Sequence, residues 1–485
     1  MSTSLLLSWR PGVSASDAGN GTLVVQGPGG RISLRELAPT VLDALRRCQP
    51  PGEDEERLAA LVEVGGDGAL PRWYYYLERL TRRGFLCHGA HTNGTRLATL
   101  LAISSSYVSA PAAVDAGCRY VLSRFAYLRR EGAEAVLESP LSHARIVLND
   151  CRAAAVVGAL AVPARVGELA EVVGLPPEAV TGMLALLLRA GMLREACDAG
   201  ARGEDDDEAL QTWDFHDLLF HARSRKGRSD APYGATYRLA GRLEPPPALK
   251  PPVSGATCDL WRPDLAQLER DDPPLARVQE VRSSVRNYDA DRPLTARQLG
   301  EFLFRVARVK DHREIEVPTA RGPVRMDVAS RPYPAGGALY ELELYVAVNR
   351  CDGLAAGLYH YDPARHVLTR RSARTAEVEG LLRDGADSAA IPEDTLQVLL
   401  LLAARFPRVA WKYESIAYAL TLKHVGVVYQ TMYLAATAMG LAPCAVGGGD
   451  ADLFARAAGT NNYAETSVGE FLLGSPRPGP AGRVG

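Results

Sequence analysis

The chain has 485 residues, 47% of them hydrophobic and 23% charged, with a formal net charge of -2. Such usage supports several packed cores, excludes global disorder and gives no overall attraction to nucleic acid. At about 150 residues per domain the length predicts roughly three units.

There is no apolar run of about 18 residues, and MSTSLLLSWRPG lacks the long apolar segment of a signal peptide, so neither a membrane span nor secretion is expected and a cytoplasmic location is the default. Cysteines at 48, 87, 118, 151, 197, 258, 351 and 444 show no CxxC or Cys/His spacing, so no structural metal is expected. Of the 55 basic residues only Lys226, Lys250, Lys310, Lys412 and Lys423 are lysine. Lysine, unlike arginine, can lose its proton when buried; Lys226, Lys250 and Lys310, in polar stretches, read as simple leftovers, and Lys412 is the exception.

In chain order, residues 22–26 and 31–34 read as strands around a Gly27-Pro28-Gly29-Gly30 turn, followed by helical spacing of Leu37, Val41, Leu42 and Leu45. A second helix carries Trp73, Tyr76, Leu77 and Leu80 on one face, and a short strand, FLCH, closes this small winged-helix-like unit. A similar order recurs: strands near 119–127, 133–138 and 144–149, then helices at 151–160, 165–173 and 176–190, then MLRE as a wing. The helix PPEAVTGMLALLLRAG has one arginine and no Asn, Gln or Lys to read base edges, which argues against DNA binding. AGARGEDDDEALQ (199–211) reads as a solvated acidic linker, WDFHDLLFHARSR as a docking helix over 211–224, and LEPPPALKPP as a stiff connector. The expected boundaries are residues 1–92 and 93–198 for the two small units, 199–272 for the linker and 273–485 for the last domain.

Three patches in that last domain carry chemistry. Arg282, Ser283, Ser284 and Arg286 offer two guanidinium forks and two hydroxyls, a donor set for a phosphate and a polyol, although such a cluster alone also suits a surface ion-pair site. Pro334, Ala335, Gly336 and Gly337 form a turn where backbone can approach a flat ligand, or a plain turn. A strand follows in which Leu342, Leu344 and Val346 alternate with Glu341, Glu343 and Tyr345. Residues 408–440 read as one long helix, closed by Gly440 and followed by the glycine-rich LAPCAVGGG. Neither GxGxxG after a strand nor GxxxxGK[ST] occurs, so NAD and ATP folds are disfavoured.

The order RSSVR, PAGG plus strand, WKY plus helix, GLAPCAVGG and GEFLLGSP resembles the SagB/ThcOx-type azoline dehydrogenases, which are nitroreductase-like flavoproteins. The resemblance extends through GLYHYDPARHVL (357–368) and the WDFHDLLFHARSR helix. It implies an α+β chain: a C-terminal nitroreductase-like FMN domain, forming a homodimer with FMN at the interface, preceded by two small winged-helix-like peptide-clamp domains. By position, Arg282, Ser283, Ser284 and Arg286 would hold the FMN phosphate and ribityl chain. Pro334, Ala335, Gly336 and Gly337 would run beside the isoalloxazine, Val446, Gly447 and Gly448 would lie on its far side, and Arg477 would be an extra phosphate ligand. Lys412 and Tyr413 fall at the family's catalytic pair, which requires the helix to begin after them, with Glu414 and Ser415 as its cap. Ala335 stands where serine is common, and Tyr340-Glu341 replaces an aromatic or His followed by Pro. The implied partners are an azoline-containing precursor peptide, with leader and core, and a cyclodehydratase; a thiopeptide-like product is one option. A general NAD(P)H-dependent nitroreductase or flavin reductase, and a non-catalytic peptide-presenting scaffold, are the alternatives.

Overall fold

The computed structural model describes residues 5–27, 30–66, 68–109, 112–196 and 204–477. Residues 28–29 of the first turn, Cys197, positions 199–203 of the acidic stretch and the tail from 478 lie outside them. The chain divides into two compact units, Met1–Ala231 and Pro232–Gly485.

The first unit is built on one seven-stranded sheet. Its strands are β1 (Leu6–Trp9), β2 (Glu53–Asp54), β3 (Leu86–Thr92), β4 (Thr95–Ala102), β5 (Tyr127–Glu131), β6 (Glu134–Glu138) and β7 (Ala144–Leu148), in the order β2-β1-β3-β4-β7-β6-β5. Helices α1 (Pro39–Arg47), α2 (Glu55–Glu63) and α3 (Ala69–Arg82) enclose one core with Trp9 and Trp73, and α4 (Cys151–Ala159), α5 (Val166–Val173) and α6 (Pro177–Arg189) enclose another. The second helix trio reproduces the expected order and the first adds α2, which the sequence reading did not include, yet the boundary read at 92/93 needs correcting. It falls inside the β3–β4 hairpin, at Asn93 and Gly94, whose φ values of 48° and 75° form the two-residue turn that an Asn-Gly dipeptide favours. The two winged-helix-like parts therefore share one continuous ladder of backbone hydrogen bonds. Helix α6, read as unsuited to DNA, buries Val180, Met183, Leu184, Leu186 and Leu187 in the core. A short helix, α7 (Phe215–Arg223), completes this unit; it is the expected docking helix, trimmed at its N-terminal end. Among the described residues no single helix is long and apolar enough to cross a membrane.

The second unit begins well before residue 273, which corrects the linker assigned to 199–272. Thr257–Asp259 (β8) is the edge strand of its sheet, paired with the strand Val367–Ser372. Upstream of it, the proline-rich segment is pinned by buried groups: Trp411 Nε1 donates to the Leu243 carbonyl at 2.8 Å, and Arg405 donates to the Pro247 and Ala248 carbonyls at 2.9 and 2.8 Å. Prolines keep their carbonyls free of a local ladder, and here arginine and tryptophan satisfy them.

The sheet comprises β8, β9 (Leu342–Val348), β10 (Gly357–Asp362), β11 (Val367–Ser372), β12 (Val398–Arg405), β13 (Ala442–Val446) and β14 (Glu465–Gly474), ordered β8-β11-β10-β9-β12-β14-β13 with antiparallel pairing throughout. Helix α8 (Leu275–Val281) leads into the arginine-serine motif. Helix α9 (Ala296–Ala307) starts at a capping box of Thr295 and Gln298 and turns Leu299, Phe302, Leu303 and Val306 onto one sheet face. Full burial of each such side chain contributes about 1.5–3 kcal/mol. Helices α10 (Ala376–Ser388) and α13 (Ala451–Ala458) cover the other face through Leu381, Leu382 and Phe454. Both faces are therefore covered, and every residue of β9 is buried. Its alternation separates two cores rather than core from solvent. Glu343 survives there because Arg405 Nε at 2.9 Å and His360 Nε2 at 3.0 Å surround its carboxylate.

The helix expected over 408–440 is broken. Helix α11 (Phe406–Ala410) ends, residues 411–416 are non-helical, and α12 (Ala417–Ala438) then runs to Gly440. Between them Tyr413–Glu414 pairs antiparallel with Gly234–Ala235, so strand pairing overrides helical propensity. The cap expected at Glu414 and Ser415 is also absent: Ile416 occupies the N-cap position with no side-chain cap, Glu414 accepts from Thr236, and Ser415 donates to the Pro232 carbonyl.

Candidate active site

At the Pro334–Ala335–Gly336–Gly337 turn the backbone is unusual. Gly337, Ala338 and Tyr340 have φ of 64°, 57° and 47°, a left-handed conformation that costs non-glycine residues about 1–2 kcal/mol each. Such strain persists only where surrounding contacts hold it. Here Arg408, fully buried, donates from Nε to the Leu339 carbonyl at 2.9 Å and from its other nitrogens to Pro246 and Asp327 carbonyls. The second hold is His424 on α12, whose Nε2 accepts the Gly336 N–H at 2.7 Å. That leaves the proton on Nδ1, which donates to Glu341 Oε1 at 2.7 Å, so the tautomer is set by its two partners. Glu341 is thus the partner of His424 in this chain, at the position where the resemblance leads one to expect proline.

Lys412 and Tyr413 both reach this turn. A Cβ built on Gly337 would lie 2.6 Å from Lys412 Nζ and 2.8 Å from the Tyr413 hydroxyl. Neighbouring residues converge on one point because neither sits on a helix: α11 has ended and Tyr413 is in a strand pair. Both side chains are half-buried. Burial and then the Arg408 charge push the Lys412 ammonium below its usual pKa, while burial and then Tyr237 push the Tyr413 phenol up. The ring of Tyr237 stands 5.7 Å from Lys412 Nζ, and its N–H donates to the Lys412 carbonyl at 3.1 Å. Tyr237 lay in a stretch read as linker, and nothing in its local sequence distinguishes it.

The arginine-serine motif follows α8 and lies against β13, with the Val285 N–H donating to the Pro443 carbonyl at 2.8 Å. Tyr433, unforeseen from the sequence, joins the parts: its hydroxyl accepts from the Ala445 N–H at 2.8 Å and bonds Ser284 Oγ at 2.7 Å, and Arg282 lies 5.3 Å from its ring centroid. Arg286 is beside Cys444, and the Arg477 N–H donates to Asn287 at 3.1 Å. Among the described residues neither Arg282, Arg286 nor Arg477 forms an ion pair with a carboxylate. Ser283 is half-buried, and Ser284 and Arg286 are exposed. Val446 is buried, its carbonyl accepting from Tyr429, and the exposed Gly447 and Gly448 have nothing within 4 Å of a Cβ position.

One helix ties the patches together. His424 at the glycine turn, Tyr429 at Val446 and Tyr433 at the arginine-serine motif are all on α12, and nine residues of helix span about 13 Å. One end offers a base and a phenol beside strained, close-approach backbone. The other offers hydroxyls and guanidinium groups that, among the described residues, have no carboxylate partner. That polarity fits a flat ring carrying a polyol phosphate tail, so the residues present accommodate FMN.

Comparison with known proteins decides the family. The model described as Nitroreductase family matches residues 280–474, and a Methanocaldococcus jannaschii protein assigned to the nitroreductases is 30% identical over 196 residues, 40% of this chain and 85% of that one. The chain belongs to the nitroreductase family. Its first unit places it among the ThcOx-type members, since the ThcOx helix turn helix domain matches residues 1–109 and Cyanobactin oxidase ThcOx matches 120–230. This ThcOx-type chain is also 30% identical to the Escherichia coli microcin B17-processing protein McbC over 117 residues, 23% of this chain and 42% of McbC. A solved E. coli microcin synthetase McbBCD complex with truncated pro-MccB17 covers 54% of this chain and 91% of its own at 19% identity, with a TM-score of 0.34.

Proposed function

We propose that this ThcOx-type protein is an FMN-dependent oxidase that converts azoline rings of a ribosomally made precursor peptide into thiazoles or oxazoles. The observation that carries this reading is the convergence of Lys412 Nζ and the Tyr413 hydroxyl on the left-handed Gly337 turn. Arg282, Ser283, Ser284, Arg286 and Arg477 would hold the phosphate and ribityl chain, and residues 334–337 and 446–448 would line the place of the ring. Bound there, FMN would supply the hydride acceptor, with dioxygen as the final electron acceptor. Aromatising an azoline also releases a proton, and the neutral Lys412 amine, favoured by its depressed pKa, takes it from the ring carbon. Tyr413, whose raised pKa keeps its phenol protonated, donates a hydrogen bond to the ring heteroatom and so orients the substrate ring. The McbC relationship supports a peptide substrate and a cyclodehydratase that forms the azolines, and the resemblance supports a homodimer.

An absorbance spectrum of the purified protein, followed by mass analysis of an azoline peptide incubated in air, tests the reading. Flavin bands with loss of one hydrogen molecule per ring support it. Flavin with NADPH oxidation and no mass change assigns a general nitroreductase, and absence of flavin overturns the cofactor.

A further inference from the structure

Five consecutive residues, Trp411 to Ser415, are each fastened to one stretch of chain far upstream, residues 232–243. The Leu243 carbonyl accepts from Trp411 Nε1 at 2.8 Å, and the Tyr237 N–H donates to the Lys412 carbonyl at 3.1 Å. Gly234–Ala235 pairs with Tyr413–Glu414, Thr236 donates to Glu414 at 2.8 Å, and Ser415 donates to the Pro232 carbonyl at 2.9 Å. Both sides of this join carry left-handed backbone at non-glycine residues, with φ of 53° at Tyr237 and 63° at Ser415. Such backbone is costly and persists where many contacts fix it. Without the join, residues 408–440 keep the pattern of one helix, on which Lys412 and Tyr413 would point about 100° apart.

The ring of Tyr237 meets that of Trp411 edge-on at 6.0 Å. With Leu239 and Ala240 it packs into one small core that also holds Leu339, Trp411 and Tyr413, so the upstream stretch, the glycine turn and the catalytic pair share their packing. Lys412 Nζ stands over two aromatic faces, Tyr237 at 5.7 Å and Tyr413 at 5.4 Å. Among the described residues no carboxylate pairs with it. The other titratable groups around it are Arg408 of α11, which opposes its charge, Glu414, committed to Thr236, and the His424–Glu341 pair at the neighbouring Gly336. The two rings are therefore what favours an ammonium here. They support the cation that forms when the amine takes up a proton, without the ion pair that would keep it protonated throughout.

We infer that Tyr237 is a positioning residue for the base: its aromatic face seats the Lys412 amine beside Tyr413 at the Gly337 turn, and residues 232–243 hold the pair out of the helix that its sequence otherwise favours. The role of Lys412 as base rests on the azoline-oxidase reading; the seating of its amine by Tyr237 does not.

The test is a carbon-13 NMR titration of the full chain labelled at lysine Cε, in which only five lysines occur and Lys412→Arg identifies the signal. Tyr237→Leu removes the aromatic face and keeps an apolar side chain; Tyr237→Phe keeps the face. The Lys412 midpoint should fall by about half a pH unit in Tyr237→Leu and stay in place in Tyr237→Phe. For an azoline peptide, kcat should drop roughly tenfold in Tyr237→Leu with KM little changed, and be rescued in Tyr237→Phe. A purely structural role would lower Tm and leave the midpoint where it was. A folded Tyr237→Leu protein with an unmoved midpoint, or equal shifts in both variants, overturns the seating. Should Tyr237→Leu fail to fold, Thr236→Val loosens the same join: hydrogen exchange across residues 411–416 should quicken roughly tenfold and kcat fall, and no change in either overturns the proposal. No azoline turnover by the parent, with the midpoint still responding to Tyr237→Leu alone, overturns the oxidase reading and leaves the seating standing; turnover with an unresponsive midpoint does the reverse.

Discussion

Replacing Gly337 with alanine separates catalytic geometry from folding. The added methyl would start 2.6 Å from Lys412 Nζ and 2.8 Å from the Tyr413 hydroxyl, well inside the contact distance of about 3.5 Å, so each tip retreats by roughly 1 Å. The lysine tip is flexible, so the structural penalty is mainly the left-handed backbone, about 1–2 kcal/mol, or a fall in Tm of roughly 2–8 °C for a unit of this size. Catalysis suffers more, since a displacement of about 1 Å between reacting groups lowers rate about 100-fold, equivalent to about 2.7 kcal/mol of barrier. The assay is anaerobic single-turnover bleaching of the flavin by an azoline peptide, alongside a thermal melt. Ala338→Gly, relieving φ of 57° without adding atoms, should stabilise the unit by about 1 kcal/mol. A folded Gly337→Ala enzyme with kcat within about threefold of the parent would refute the placement of Lys412 and Tyr413 at the reacting centre.

Lys412→Arg should retain fold and FMN yet lose turnover by about 100-fold or more, because a guanidinium cannot serve as the base. Since the neutral amine is the active form and its pKa is depressed, kcat/KM should rise with pH along a limb lying below the ordinary lysine value of 10.5; the same limb surviving in Lys412→Arg rules the lysine out. Ser284→Ala and Arg286→Gln should each weaken FMN retention roughly tenfold or more, read as flavin absorbance after dialysis, with secondary structure unchanged. For Glu343, burial opposes ionisation, but Arg405 and His360 prevail and hold its pKa at about 2, below the usual 4.5. The carboxylate's contribution is therefore complete above about 4.5 and lost as pH falls toward 2, about 3 kcal/mol in all. Glu343→Gln should lower stability near neutral pH and remove that acid-dependent loss in denaturant titrations; an unchanged profile refutes it.

Much of the chemistry was legible because it resides in residue types. Arg282, Ser283, Ser284 and Arg286 are donors suited to an anion and a polyol or to surface ion pairs, and among the described residues the structure leaves both arginines without carboxylate partners. A lysine kept in a chain that otherwise uses arginine marked position 412. Helical periodicity located α1 and α3 to α7, where one face is apolar and the other polar.

What only the tertiary structure decided depends on contacts distant in sequence. Periodicity read residues 408–440 as one continuous helix, because a helix buried on most sides has no polar face to reveal a break; only the Lys412–Tyr413 pair implied a start beyond it, at α12, and the break itself arises from pairing with Gly234–Ala235, far upstream. The Asn-Gly turn at 93 and 94 looked like a boundary between repeats until its flanking strands were seen to continue one sheet. Proline-rich residues 243–252 resemble a linker by composition, yet buried arginine and tryptophan donors fasten them to the catalytic unit. Tyr237, Glu341, His424 and Tyr433 had no local signal, because each acquires its role from a partner brought near by folding. Sequence alone determined which functional groups this protein owns; the fold determined which of them meet, since packing of both sheet faces and long-range strand pairing set positions that no local periodicity encodes.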